Sequence, residues 1–118
     1  MKYLLLIYQG PTPTTPGTER WKALPKSEQG AIYAEYAELN KTPGFTPGLP
    51  AGFADKAQTV QVRNGKPEVR NGTYLSEGIA GYAVLEAENM EAAVGLAARI
   101  PAARFGGAVE IRPAEQYW

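Results

Sequence analysis

The chain has 118 residues, 44% of them hydrophobic and 20% charged, with Lys plus Arg and Asp plus Glu balanced at 12 each. That length and apolar content predict one folded domain over residues 1–118, and the balanced charge, with no run of Lys or Arg, argues against nucleic acid as a partner. His and Cys are both absent, which excludes thiol nucleophiles, Ser–His and Cys–His pairs, Cys/His metal centres and disulfides.

Lys2 to Tyr8 reads as a strand with apolar side chains on both faces, the mark of a strand covered from both sides. The same run is too short for a signal-peptide core, and no stretch approaches the ~20 apolar residues of a membrane span. A cytoplasmic location with no membrane association is therefore the expectation. Gln9 to Thr18 is rich in Pro, Thr and Gly and reads as loop. Trp21 and Leu24 lie in the approach to a helix from about Ser27 to Lys41. In that helix Ile32, Tyr36 and Leu39 form the apolar stripe, with Glu28, Glu35 and Glu38 off it. Pro25 or Ser27 starts it and Pro43-Gly44 stops it.

Thr42 to Ala54 reads as a second loop, anchored by Phe45, Leu49 and Phe53. Gln58 to Arg63 alternates as a strand, Asn64-Gly65 is the favoured two-residue hairpin turn, and Lys66 to Arg70 is the return strand. Asn71-Gly72 marks another turn, and Ile79 to Leu85 a mostly apolar strand. Asn89 reads as an N-cap with Glu91 in the first turn. The stripe Met90, Val94, Ala97 and Ile100 follows, with Arg99 in the last turn and Pro101 ending the helix. Ala108 to Arg112 is the final strand.

This order, β-α-β-hairpin-β-α-β, predicts an α+β fold. It is a ferredoxin-like β-α-β-β-α-β sandwich, a four-stranded antiparallel sheet with an extra hairpin strand and two helices on one face. Two helices cover one face only, yet the strands Tyr3–Tyr8 and Ile79–Leu85 are apolar on both. A second copy of the sheet is the simplest cover. The expectation is a homodimer forming a dimeric α+β barrel.

Three stretches resemble the YCII-related family, in its branch named for an Asp-Gly-Pro-Phe (DGPF) motif. They are the opening Met1 to Tyr8, the segment Ala57 to Gly72, and the run Ala97-Ala98-Arg99-Ile100-Pro101-Ala102-Ala103-Arg104-Phe105-Gly106 followed by Val109-Glu110-Ile111-Arg112-Pro113. The resemblance covers nearly the whole chain, more loosely between Gln9 and Leu24 and between Thr42 and Ala54. It implies a dimeric α+β barrel with a cleft near the motif loop, and no established reaction. The fold is shared with small monooxygenases, dismutases and isomerases, and fold alone assigns no chemistry. Where the branch reads Asp-Gly-Pro-Phe, this chain reads Asn71-Gly72-Thr73-Tyr74, and Glu77 is the one carboxylate in the shortened stretch that follows. Related YCII proteins are thought to use a His–Asp pair, which a chain without His cannot form.

With no His or Cys, any general base is Asp, Glu, Tyr, Lys or a terminus. Tyr74 and Glu77 are the candidate catalytic pair, a hydroxyl and a carboxylate on one loop. The alternative is an ordinary turn with an exposed carboxylate. Asn71, Arg63, Arg104 and Tyr82 are the candidate ligand-binding residues, and Arg70 is a further guanidinium able to hold an anion. The alternative for the arginines is solvated ends or weak ion pairs with Glu68 or Glu110. Trp21, Phe45, Phe53, Tyr8 and Tyr82 can line an apolar pocket, or simply fill core and interface. No metal and no cofactor are expected.

The first functional reading is a small-molecule-binding dimer without established activity. A second is a structural or regulatory partner protein, which the resemblance links to alternative sigma factors. A third is a cofactor-independent enzyme acting on a small apolar carbonyl or phenolic compound.

Overall fold

A computed structural model describes residues 1–9, 19–52, 54–75 and 78–115. Strand β1 (Lys2–Tyr8) lies in the interior of a four-stranded antiparallel sheet. It pairs on one side with β5 (Gly81–Glu86), Leu4 opposite Val84 and Leu6 opposite Tyr82, and on the other with β6 (Ala108–Pro113), Leu4 opposite Arg112 and Leu6 opposite Glu110. The fourth strand, β2 (Phe45–Pro47), pairs with the far side of β5. The order β2-β5-β1-β6 interleaves two strand-helix-strand crossovers. Among the described residues no barrel closes, and β2 and β6 are the edges of the sheet. Pro47 on the one and Pro113 on the other withhold backbone donors there, which discourages further strand addition.

The sheet corrects the expectation at two points. The segment Thr42–Ala54 is not all loop, because β2 lies inside it and a single 3-10 turn begins at Ala54. The alternating strand β3 (Gln58–Arg63) does not join the sheet. It pairs with β4 (Lys66–Asn71) alone, as a separate two-stranded arm. The cause is local. Asn64 and Gly65 adopt φ of 53° and 76°, the type I′ pattern that folds β3 straight back onto β4. Meanwhile the chain leaves the first long helix through Gly44, whose carbonyl accepts from the Glu86 N–H at 2.8 Å. It therefore reaches the edge of β5 before β3 begins. Phe45 packs against the core and secures that place, whereas Leu49 is 83% exposed and anchors nothing.

Four helical segments accompany the sheet. Helix α1 (Glu19–Ala23), not anticipated, buries Trp21 against Tyr33 in an edge-to-face pair at 5.2 Å. Its open carbonyl end is closed by Gln29, whose Nε2 donates to the Trp21 and Leu24 carbonyls at 2.8 and 3.3 Å. Helix α2 (Lys26–Lys41) follows Pro25 and buries Ile32 and Leu39, with Tyr36 half-buried, as the stripe predicts. Helix α3 (Met90–Ala97) is capped by Asn89, whose Oδ1 accepts from the Ala92 N–H at 2.9 Å. Its buried face is Ala93 and Ala97, with Leu96 half-buried; Met90 and Val94 face outward. Half of the expected stripe holds: Ala97 and Ile100 are buried, while Met90 and Val94 are not and Ala93 is buried instead. Seven of the helix's eight residues are Gly, Ala or larger apolar types, so periodicity alone does not select a face. Pro101 does not end that helix. It occupies the first position of a new turn, α4 (Pro101–Arg104), with Ile100 fully buried just before it.

The core joins Tyr3 and Leu5 of β1 and Ala83 and Leu85 of β5 to Leu39, Ala93, Ile100 and Ala102 of the helical layer. All helical cover therefore lies on the face that carries Tyr3, Leu5 and Ile7. The opposite face carries Leu4, Leu6, Tyr8, Tyr82 and Val84, none of them fully buried. The overall dimensions are 51 × 38 × 19 Å with a radius of gyration of 16.1 Å. A compact chain of this length has about 13.5 Å. The arm shares no strand ladder with the sheet.

Two substitutions separate packing from capping. A Cβ on Gly107 would stand 2.1 Å from the Tyr8 carbonyl oxygen, 2.6 Å from that of Gln9 and 2.9 Å from that of Ala102. All three are backbone, so nothing can rotate away. Gly107→Ala is expected to cost about 3 kcal/mol or more in urea unfolding, and Asn89→Ala about 1 kcal/mol. Equal costs for the two would contradict the packing described at Gly107.

Candidate functional site

The motif tetrapeptide lies at the base of the arm. Asn71 is the last residue of β4, and its Oδ1 accepts from Gln58 Nε2 at 3.3 Å. Gly72 turns the chain with φ of 99°, and its backbone closes the arm. Its N–H donates to the Ala57 carbonyl and its own carbonyl accepts from Thr59 Oγ1, both at 2.8 Å. Thr73 Oγ1 then donates to the Leu75 carbonyl at 2.7 Å, folding the following segment back on itself. Tyr74 is 63% exposed. Arg70 holds it twice, by an Nη2 bond to its carbonyl at 3.1 Å and by placing the guanidinium 5.6 Å from the ring centroid. Arg70 and Tyr74 thus form one contact pair, while the Asn71 side chain is engaged with Gln58. Glu77, the candidate partner of Tyr74, lies outside the described residues.

The other candidate residues are dispersed. Arg63 sits at the arm's tip, five residues along β3 from Gln58, which is about 16 Å. It pairs with Glu68 at 3.6 Å, in the exposed setting where such pairs contribute little. Arg104 belongs to the helical layer, where its guanidinium pairs with Glu35 of α2 and lies 5.1 Å from the Phe105 ring centroid. Tyr82 stands on the uncovered sheet face with its ring over the backbone of Gly48. A Cβ at Gly48 would meet that ring at 2.4 Å, and the Gly48 N–H donates to the Tyr82 carbonyl at 2.9 Å. Tyr8 shares that face with Tyr82, while Trp21 and Phe45 pack on the helical side, so these four aromatics do not line one pocket. Phe53 lies outside the described residues.

One concave feature went unrecognised as a unit in the sequence. A groove of about 410 Å³ between α2 and the α3–α4 connection is lined by Ala34, Glu35, Glu38, Ala98, Arg99 and Arg104. The signal was present in pieces: Glu35 and Glu38 one helical turn apart off the apolar stripe, and Arg99 and Arg104 flanking Pro101. What sequence could not supply was the break at Ile100-Pro101, which turns both arginines toward α2. Among the described residues, no three acidic side chains gather as cation ligands, and no helix is long and apolar enough to cross a membrane.

The double contact from Arg70 defines the motif loop. Arg70→Ala is expected to move the Tyr74 ring resonances in NMR toward random-coil values, and Arg70→Lys to restore little of the difference, since an ammonium lacks the planar fork. Arg63→Ala, at the far end of the arm, is expected to leave those resonances unchanged.

The family model of the YCII-related domain matches residues 1–116, nearly the whole chain, and the chain belongs to that family. No curated protein matches it.

Proposed function

We propose that this member of the YCII-related family works as a homodimer of one-domain chains that binds a small molecule. The observation that carries the reading is the uncovered sheet face. Leu4, Leu6, Tyr8, Tyr82 and Val84 form an apolar surface that no helix reaches, and Tyr82 and Val84 are 48% and 36% exposed. The arm adds Val60, Val62 and Val69, each at least 60% exposed, with Val60 directly opposite Val69. Apolar surface on this scale marks an interface.

Size supports the same conclusion. Three strands roughly 20 Å long and the three-residue β2, about 10 Å long, at a spacing of about 4.8 Å present about 340 Å² of flat area, and the arm about 200 Å² more. Side-chain relief brings the sum toward the roughly 800 Å² per partner of a standard stable interface. A twofold pairing places each sheet face and each arm against its own copy, as a closed dimer requires. In this reading the ferredoxin-like sheets of two subunits make the dimeric α+β barrel. Placement in the DGPF branch rests on the stretches Ala57 to Gly72 and Ala97 to Pro113, since the tetrapeptide Asn71-Gly72-Thr73-Tyr74 departs from the branch motif at all but its Gly.

The ligand-binding part rests on chemistry at the rim of the joined faces. Tyr74 supplies an exposed phenol held by Arg70, Asn71 supplies an amide, and Tyr82 an aromatic wall. These groups suit a small apolar compound with a carbonyl or phenol, bound without a metal or cofactor. Tyr74 and Glu77 remain the proton-handling pair if a reaction accompanies binding. The charge-neutral sequence favours neither nucleic acid nor membrane as a partner, and a cytoplasmic site of action follows the same reading.

Light scattering at micromolar concentration is expected to return twice the 12.7 kDa chain mass, and Val84→Asp or Val60→Asp to shift the protein toward monomer. A wild-type monomer would end the dimer reading. In calorimetry with 4-nitrophenol as probe, Tyr74→Ala and Tyr82→Ala are each expected to weaken binding at least tenfold. Unchanged affinity would remove the ligand site from this rim.

A further inference from the structure

The groove between α2 and the α3–α4 connection is lined by charges of both signs. Its lining carries two carboxylates and two guanidiniums, with Ala34 and Ala98 as the apolar portion. One of each sign is committed. Arg104 pairs with Glu35, and the Phe105 ring beneath the guanidinium limits its movement. The side chains of Arg99 and Glu38 are bound to nothing among the described residues, although both line the same groove. A fixed ion pair and an unused cation and anion therefore surround one concavity.

From this arrangement we infer that the groove binds a small zwitterion, of the class of free α-amino acids and dipeptides. Arg99 receives the ligand's carboxylate, for which its planar fork is suited, and Glu38 receives the ammonium. The Arg104–Glu35 pair forms a fixed polar wall, and the ligand's side chain lies over Ala34 and Ala98. Charge selects this class. A simple anion would meet the carboxylates of Glu35 and Glu38, and a simple cation the guanidiniums of Arg99 and Arg104, whereas a ligand with both signs meets a complement for each. Size selects within the class. About 410 Å³ is near the lower end of the roughly 300–1,000 Å³ of small-molecule sites, which suits one or two amino-acid residues and not a folded partner.

The site is independent of the homodimer and of the rim around Tyr74. It lies in the helical layer, which covers the face carrying Tyr3 and Leu5, while the proposed subunit contact uses the face carrying Leu4 and Leu6. Joining two sheets leaves the groove open in both subunits.

Titration of the full chain with L-alanyl-L-leucine, followed by amide NMR, tests the inference. Shifts are expected at Ala34, Glu38, Ala98 and Arg99, with dissociation constants in the millimolar range or tighter. The N-acetylated dipeptide and the dipeptide amide each remove one charge, and each is expected to bind at least tenfold more weakly. Arg99→Gln and Glu38→Gln are expected to weaken the unmodified dipeptide by the same factor. Both residues are exposed, so an otherwise unchanged spectrum reports an intact fold. Absence of shifts at these four amides would overturn the assignment. So would equal binding of the blocked peptides, or full affinity in both variants.

Discussion

The fold rests on the demands of one strand. β1 is paired along both edges, by β5 and β6, and it is apolar on both faces. Its backbone is satisfied by neighbours drawn from the last third of the chain. On one face Tyr3 and Leu5 vanish beneath Leu39, Ala93, Ile100 and Ala102. On the other, Leu4, Leu6 and Tyr8 stay half-buried, with no helix of the described residues above them. A sheet with one dressed face and one bare apolar face carries an unsolved burial problem, and much of the molecule's surface character follows from that asymmetry.

The two faces divide the chemistry between them. The bare sheet face is apolar along β1 and β5, with Arg112 and Glu110 opposite Leu4 and Leu6 at its β6 edge, while the arm mixes exposed valines with Arg63, Lys66, Glu68 and Arg70. The helical layer carries a groove between α2 and the α3–α4 connection, lined by charges of both signs. α3 stops at Ala97, and the chain bends at Ile100 and restarts as α4 with Pro101 at the first helical position, which its fixed φ suits. The bend brings Arg104 to Glu35 and opens the space between.

Strand and helix existence was largely legible in the residues, because β1, α2, the arm and β6 have clear periods or turn signals. Asn64-Gly65 located the arm's turn to the residue, and Asn89 the start of α3. Partnership was not legible. β3 alternates as a sheet strand should, but nothing local says that its only partner is β4, while the three-residue β2 is too short to show a period at all. Which face of α3 is buried was likewise hidden, since the helix is apolar almost all round and only the sheet beneath it chooses Ala93 and Ala97 over Met90 and Val94. At the candidate site, composition narrowed the chemistry to Tyr, carboxylates and Arg, and the turn residues placed Tyr74 correctly on a loop. It could not foresee that Arg63 and Arg104 end at distant parts of the molecule, because that depends on where the arm and α4 point.

The pairing of β1 with β6 also has a consequence in time. Contacts that join residues 3–8 to residues 108–113 cannot form until that last strand has been synthesised. At about 5–20 residues per second, β1 waits on the order of 5–20 s after it is made. The arm, by contrast, is a hairpin with an immediate turn and can close in roughly 1–10 μs. The earliest part of the chain to be made is thus among the last to be completed, and its two-faced apolar surface remains a hazard for misassociation throughout. Its short length and the arm's independence limit that hazard, since α2 can shelter Leu5 on one side before the sheet is whole.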